Sequence, residues 1–95
     1  MGLEEGGGMI LSPEERRVLR DVATAAGGRL ISSYLPANGT GRPCVAMVVQ
    51  GLRDVWNAAE LLTERAPLLA RALRGPSIER DGPFHVLFWP GVTCE

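Results

Sequence analysis

Apolar and polar positions alternate with a helical period near the start of the chain. The run Ser12-Pro13-Glu14-Glu15 opens this stretch. Serine caps the free amides of a first helical turn, proline suits the first helical position, and acidic residues favour the positive end of the helix dipole. One apolar stripe follows and ends at Gly27-Gly28; its members are Val18, Leu19, Val22, Ala23 and Ala26. The pattern predicts an amphipathic helix over residues 13–26.

A second helical period covers residues 53–74. Its apolar seam repeats at intervals of four and three, through Val55, Ala59, Leu62, Ala66, Leu69 and Leu73. Pro67 lies inside the seam, where proline lacks an amide donor and clashes with the preceding turn. We therefore expect a second helix that is kinked at Pro67 or split near Ala66 into two closely stacked pieces.

Three short segments are typical of β-strands because they are rich in β-branched, aromatic or other apolar residues. They are residues 29–35, 44–50 and 84–89. Asn38-Gly39 predicts a hairpin between the first two, and residues 80–83 predict a turn before the third. In the third strand, Phe84, Val86 and Phe88 should point to one side of the sheet and His85, Leu87 and Trp89 to the other.

The order of these elements predicts an α+β fold. If residues 9–11 form a short first strand, the order is β-α-β-β-α-β, a ferredoxin-like arrangement with two helices packed on one face of the sheet. Without that strand, the order is α-β-β-α-β on the same plan. We expect one domain over residues 9–95, preceded by a flexible glycine-rich leader at residues 1–8.

Composition narrows the classes of function. The chain has 95 residues, 45% of them hydrophobic, and a formal net charge of -1. This is enough apolar material for one core, and the charge argues against duplex DNA or an anionic membrane as the main partner. No apolar stretch is long enough to span a bilayer and residues 1–8 do not resemble a secretion signal, so a cytoplasmic location is expected.

Candidate catalytic chemistry is confined to a few residues. His85 is the single histidine, which excludes a multi-histidine metal site. Cys44 as a thiolate nucleophile with His85 as its base is the strongest enzymatic candidate. No glycine-rich elbow accompanies either residue, so a core cysteine and a half-buried strand histidine are the preferred interpretation, and no metal or cofactor is predicted. Cys44 and Cys94 are expected to be reduced thiols; a disulfide would require the tail to lie beside residue 44.

Three arginines on the first predicted helix are candidates for contact with nucleic acid. They are Arg16, Arg17 and Arg20. The alternative is a solvated helix face, on which Arg17 and Asp21 form an ordinary i,i+4 pair. An RNA-binding sheet would also need exposed aromatic residues on its central strands, where the sequence has only Tyr34. Nucleic-acid binding is therefore an alternative, and not the favoured one.

Apolar residues on both faces of the predicted sheet point to a partner. Two helices normally cover one face, whereas residues 44–50 and 84–89 are apolar on both. We expect a second copy or a protein target to cover the other face through His85, Leu87 and Trp89, with Trp56 and the arginines as further candidates. The alternative is that the long helix and the tail wrap around both sides of the sheet.

Residues 57–73, which read NAAELLTERAPLLARAL, resemble an "NA-x-L-I-A-x-A-P-x-L-L-x-A-L" segment of small phage and prophage proteins. The resemblance covers 17 of the 95 residues and departs from the segment at Leu62-Thr63. It implies a phage-borne accessory protein of a class that often binds and inhibits host machinery, and it carries over no catalytic residue. Together with the apolar surplus, it favours a small non-enzymatic protein-binding module that acts as a regulator or inhibitor.

Overall fold

A computed structural model describes residues 9–37, 41–73 and 75–94 of the chain. The predicted leader at 1–8 and Asn38-Gly39 of the predicted hairpin turn lie outside these ranges. The elements in chain order are β1 (Met9–Leu11), α1 (Pro13–Ala25), β2 (Arg29–Tyr34), β3 (Cys44–Val49), α2 (Leu52–Arg65), α3 (Pro67–Ala72), β4 (Ser77–Asp81), β5 (Phe84–Trp89) and β6 (Val92–Cys94).

Helix α1 begins with the cap that the sequence predicts. The amide of Glu15 donates to Ser12 Oγ at 3.1 Å, and the amide of Ser12 donates to Glu15 Oε1 at 2.9 Å. After the helix, Gly27 has a left-handed φ of 81°. Gly28 then passes so close to β3 that a Cβ atom there would overlap the carbonyl oxygen of Val48. The glycine pair therefore ends α1 and lets the chain turn tightly against the sheet.

The second helical period is divided at Ala66. Helix α2 ends at Arg65, α3 begins at Pro67, and Ala66 has φ -146° and ψ 74°, outside the helical region. Proline disfavours a helical conformation in the residue before it and is itself well suited to the first position of a helix. The split near Ala66 is confirmed, and a continuous helix kinked at Pro67 is wrong.

The main sheet has four antiparallel strands in the order β2-β3-β5-β4. Strands β2, β3 and β5 confirm the three predicted strands. Strand β4 was not predicted from the sequence, because this edge strand is mostly charged and exposed and shows no apolar alternation. Of the turn expected at 80–83, only Gly82 and Pro83 lie outside the strands.

The α+β class is confirmed, and the ferredoxin-like order is not. Strand β1 stays out of the main sheet and pairs in parallel with β6, a strand that the sequence analysis did not include. The main sheet instead follows an α-β-β order twice along the chain, first as α1-β2-β3 and then as the divided helix followed by β4-β5. Strand β5 pairs with β3, so β3 and β5 are the central strands of the sheet and β2 and β4 are its edges.

The helices pack on one face of the main sheet, which we call the covered face. Its central side chains come from β3 and β5 and are Val45, Met47, Val49, Leu87 and Trp89. They form one core with buried residues of the three helices and of the β1-β6 pair, among them Leu11, Leu19, Val22, Leu62 and Leu69. Both predicted helices therefore lie on the same side of the sheet, as expected.

The opposite side, which we call the outer face, has a smaller core of its own. Cys44, Ala46, Val86 and Phe88 are buried there, and Ile31, Tyr34 and Val48 pack against them. No helix of the described ranges packs on this face. Its apolar residues are shielded by neighbouring side chains of the sheet.

Candidate functional site

The sheet surface predicted to bind a partner is the covered face. Leu87 and Trp89 are 3% and 6% exposed and lie in the core beneath the helices. The prediction that His85, Leu87 and Trp89 form a dimer or target interface is therefore wrong. Both alternating sides of β5 are apolar, so the sequence pattern alone did not show which side the helices would cover.

His85 lies at the end of the covered face, opposite Val49 in the strand pairing. It is half-buried, and its ring nitrogen Nδ1 lies 2.8 Å from the carbonyl oxygen of Gln50. A carbonyl oxygen can only accept, so Nδ1 is the donor in this bond. The bond connects the start of β5 to the segment that leads into α2.

The Cys44 and His85 pair cannot form a catalytic dyad. Cys44 belongs to the outer face and His85 to the covered face. His85 pairs with Val49, five positions along β3 from Cys44, which at about 3.3 Å per residue separates the two by roughly 16 Å. Burial also raises the pKa of the Cys44 thiol, which disfavours the thiolate that a nucleophile needs. The register thus rules out a Cys44–His85 dyad.

The two cysteines are free thiols. Cys94 packs against the helix-side core, whereas Cys44 belongs to the core of the outer face. The tail therefore does not bring the two sulfur atoms together. Among the described residues, no group of three or more His, Cys, Asp or Glu side chains is placed to hold a metal ion.

The three arginines of α1 lie on a surface of mixed charge. Arg17 and Arg20 are exposed, and Arg16 is half-buried. The same helix carries Glu14 and Asp21, both exposed. A nucleic-acid backbone is recognised by concentrated positive charge, which this mixture does not supply.

Tyr34 is held across the outer face. Three steps along β2, from Ile31 to Tyr34, oppose two steps along β3, from Ala46 to Cys44. This bulge moves Tyr34 onto the outer face, because a shift of one residue reverses the side to which a strand side chain points.

The Tyr34 hydroxyl donates to Glu79 Oε1 at 2.6 Å, so the side chain joins edge strand β2 to edge strand β4. Its ring contacts that of Phe88, with centroids 5.6 Å apart and planes inclined at 49°. The hydrogen bond to Glu79, with burial and the nearby carboxylates Glu79 and Asp81, raises the pKa of Tyr34 to about 12. A tyrosine engaged in this way beside two acidic residues does not resemble the exposed aromatic platform of an RNA-binding sheet.

The solvent-facing side of α2 carries the largest exposed aromatic side chain of the described residues. Trp56 is 70% exposed and Leu52, one turn earlier, is 57% exposed. An open depression beside Trp56 is lined also by Ala59, Glu60, Thr63 and Glu64. Spacings of three and four residues place these side chains on neighbouring rows of one helix side. We call this set, with Leu52, the Trp56 surface.

A cavity of about 260 Å³ lies between α2, α3 and the covered face. Its deep wall includes Met47, Ala58, Leu62, Leu87 and Trp89, and none of the described residues that line it carries a charge. Ala59 and Thr63 line both this cavity and the depression beside Trp56, so the two hollows are neighbours.

Trp89 also carries an unusual polar atom. Its indole Nε1 is buried and is the only such side-chain nitrogen or oxygen of the described residues that has no hydrogen-bond partner. Sequence reasoning selected Trp89, but as part of an exposed sheet face. It missed the cavity, which depends on small residues of two helices meeting the sheet.

Residues 57–73, which carry the resemblance to phage proteins, cover the second half of α2, Ala66 and α3. Ala58, Leu62, Leu69 and Leu73 from this run are buried in the helix-side core. The same run contributes Ala59, Glu60, Thr63 and Glu64 to the Trp56 surface. It thus combines core positions with exposed ones.

No protein-family model matches the chain, and comparison with curated proteins and with solved structures gives no match. None of the described helices has the length and apolar character needed to span a membrane.

Proposed function

We propose that this chain is a non-enzymatic protein-binding module, a phage or bacterial regulator or inhibitor that acts in the cytoplasm and binds its target through the Trp56 surface. The observation that carries the proposal is the 70% exposure of Trp56 on a well-formed helix. Tryptophan offers a large apolar area with a polar tip, and it is among the side chains that contribute most to binding at protein interfaces.

The charges of the Trp56 surface favour a basic partner. Glu60 and Glu64 are both exposed and are separated by one helical turn. Like charges at this spacing repel each other and weaken a helix by a few tenths of a kcal/mol. A cationic side chain from a partner would relieve that repulsion, and an arginine could also stack on the Trp56 ring. We therefore expect the target to present an apolar segment that contains arginine or lysine.

A second copy of the chain fits this surface less well. In a two-fold dimer the same patch meets itself, so two such glutamate pairs would be brought together. The proposal of a phage or bacterial regulator rests on the resemblance of residues 57–73, a run that supplies four side chains of the Trp56 surface. The non-enzymatic part is supported by the separation of Cys44 and His85 across the sheet.

Capture from a cell lysate on immobilised protein tests the proposal. Trp56→Glu should lower recovery of the bound target at least about tenfold, because loss of a central tryptophan typically costs 2 kcal/mol or more. Leu68→Glu is the matched control, since Leu68 is 79% exposed on α3 and lies outside the Trp56 surface. Its recovery should equal that of the wild type.

Reversing the charge of Glu60 and Glu64 tests whether the target is basic or binds through apolar contacts alone. The double variant Glu60→Arg, Glu64→Arg should lose the target and keep the wild-type melting temperature. Equal recovery by wild type and Trp56→Glu would reject the Trp56 surface. A concentration-dependent dimer, measured by light scattering and abolished by Trp56→Glu, would identify a second copy as the occupant.

A further inference from the structure

The depression beside Trp56 is lined by described residues of a single helix. They all belong to α2 and are Trp56, Ala59, Glu60, Thr63 and Glu64. The first four stand at positions i, i+3, i+4 and i+7, which are neighbours on the surface of a helix. In a coiled coil, four neighbouring residues of one helix form the hole that receives one side chain of the facing helix. The depression therefore has the spacing of such a hole.

The floor of this hole suits an apolar side chain. Ala59 and Thr63 are small, exposed residues, whereas Trp56 beside them is large and 70% exposed. The Thr63 hydroxyl donates to the carbonyl oxygen of Ala59 at 2.9 Å. An apolar side chain can therefore cover the floor without leaving that donor unpaired, which would be unfavourable.

The hole belongs to an exposed seam that runs along α2. Its members repeat at intervals of four, three and four residues and are Leu52, Trp56, Ala59 and Thr63. This is the spacing of the apolar positions through which coiled-coil helices meet. The residues that α2 buries, such as Val55, lie on a different side of the helix. From its first to its last member the seam is about 16 Å long, at 1.5 Å per residue, which is three helical turns.

Glu60 and Glu64 lie along one side of this seam, away from the core. Both are exposed, and no basic residue of the chain stands three or four positions from either. Charged residues beside the seam of a coiled coil select the partner by complementary charge. A helix that packs along α2 is therefore favoured when it carries arginine or lysine beside its own seam.

We infer that the Trp56 surface binds a basic amphipathic helix of about three turns, which lies along α2 and inserts one apolar side chain into the hole formed by Trp56, Ala59, Glu60 and Thr63. Arginine or lysine of that helix lies against Glu60 and Glu64. The inference rests on the proposed function and adds the conformation of the target segment and the place of its central contact.

Three synthetic peptides of three heptads each test the inference, all with leucine at the a and d positions. The first has arginine at e and g, which also keeps it from pairing with itself. The second has glutamate at e and g, and the third is the arginine peptide with a central proline. The arginine peptide should bind and gain helical circular dichroism on mixing with the protein. The other two should bind at least about tenfold more weakly, because one repels the glutamates and the other cannot form a continuous helix.

A pair of alanine-to-arginine variants locates the bound peptide. Ala59→Arg fills the hole and repels the arginine peptide, so it should weaken binding at least about tenfold. Ala25→Arg makes the same change at an exposed position of α1 and should bind as the wild type does. Binding should also shift the indole N–H resonance of Trp56, which the Trp56→Phe variant identifies among the two indole resonances of the protein.

Each contrary result overturns a stated part of the inference. Equal binding of the arginine and glutamate peptides would overturn the charge preference, and equal binding of the proline peptide would overturn the helical conformation. No binding at all, or binding that Ala59→Arg leaves unchanged, would overturn the contact at the hole. A dimer of the chain that the arginine peptide dissociates would make a second copy the occupant and would also overturn the inference.

Failure of the inference and failure of the proposed function give different results. A captured target that still requires Trp56, when no peptide binds, would leave the proposed function standing and reject the helix. Peptide binding together with target capture that Trp56→Glu does not change would instead reject the proposed function.

Discussion

The two faces of the main sheet are both apolar, yet they are shielded from solvent in different ways. Three helices and the β1-β6 pair bury the covered face, whose residues include Met47, Leu87 and Trp89. The outer face has no described helix over it. Small residues such as Cys44 and Ala46 lie beneath Tyr34 and Phe88, whose rings shield them.

This comparison shows that an apolar sheet face need not be a binding surface. Apolar residues on both sides of β3 and β5 led to the expectation of a partner on the second face. In the structure the bulge in β2 rotates Tyr34 over that face, and the bond to Glu79 fastens it there. Small side chains under a tethered aromatic ring remove most of the exposed area without another element.

The largest expected difference between the faces comes from neighbouring residues of β3. Met47 is fully buried on the covered face, and Val48 is half-buried on the outer face. Met47→Ala should lower the free energy of unfolding by about 3 kcal/mol, from lost burial and the void left behind. Val48→Ala should cost about 1 kcal/mol, since its surroundings already admit water.

Urea denaturation of the two variants beside the wild type measures this difference. Equal losses would mean that the outer face is packed as tightly as the covered face. The two faces would then not differ in how tightly they are packed.

A substitution at the junction between α1 and β2 tests how closely the chain packs against β3. A Cβ atom at Gly28 would overlap the Val48 carbonyl oxygen and lie 2.9 Å from Val49 Cγ1. Gly28→Ala should therefore push α1 and β2 away from β3 and cost about 2 to 3 kcal/mol. Thermal unfolding would report the loss as a lowered melting temperature.

Gly27 provides a matched control one residue earlier. A Cβ atom there meets nothing within 4 Å, but φ is 81°. Gly27→Ala should cost only about 1 kcal/mol, from backbone strain. If Gly27→Ala proved the more damaging of the two, the turn conformation would matter more than the close approach to the sheet.

The smallest expected effect concerns the hydroxyl that closes the outer face. Tyr34→Phe should cost about 1 kcal/mol near neutral pH, because it removes the bond to Glu79 and leaves the ring. The pKa of Tyr34 is raised to about 12 in the folded protein, above the usual value of about 10 expected for the unfolded chain. The resulting stability is fully present below pH of about 10 and is lost as the pH rises through about 12.

Two measurements check how the ionisation of Tyr34 and the stability of the protein change at alkaline pH. Tyr34 is the single tyrosine, so absorbance near 295 nm follows its ionisation alone. The free energy of unfolding in urea should fall more steeply from pH 9 to pH 11.5 in the wild type than in Tyr34→Phe. If Tyr34 ionised with the ordinary pKa of about 10 in the folded protein, its hydrogen bond to Glu79 would not be formed in solution.

Local signals in the sequence predicted most of the elements. The Ser12 cap, Pro13 and the glycine pair bound α1, and Pro67 predicted the division at Ala66. These features act over one or two helical turns, where cap hydrogen bonds and proline sterics decide the backbone. Strands β3 and β5 were predictable because dense apolar composition in a short segment suits a buried strand, and β2 was predictable because Leu30, Ile31 and Tyr34 favour a strand.

The candidate sites were less predictable, because burial depends on which elements meet. Trp56 and Trp89 are both tryptophans beside apolar neighbours, yet one is 70% exposed and the other 6%. An exposed charged edge strand such as β4 has no apolar periodicity to reveal it. The cavity beside Trp89 arises only where residues from α2 and α3 approach β3 and β5.

By itself, the sequence determined the limits of α1 and the division between α2 and α3, since those limits rest on contacts between residues close along the chain. Only the tertiary structure decided that Leu87 and Trp89 face the helices, that Cys44 and His85 lie apart, and that Trp56 remains outside. Each of those outcomes depends on strand register and on the side of the sheet that the helices cover. Both are set by contacts between residues far apart in the chain, which no local pattern specifies.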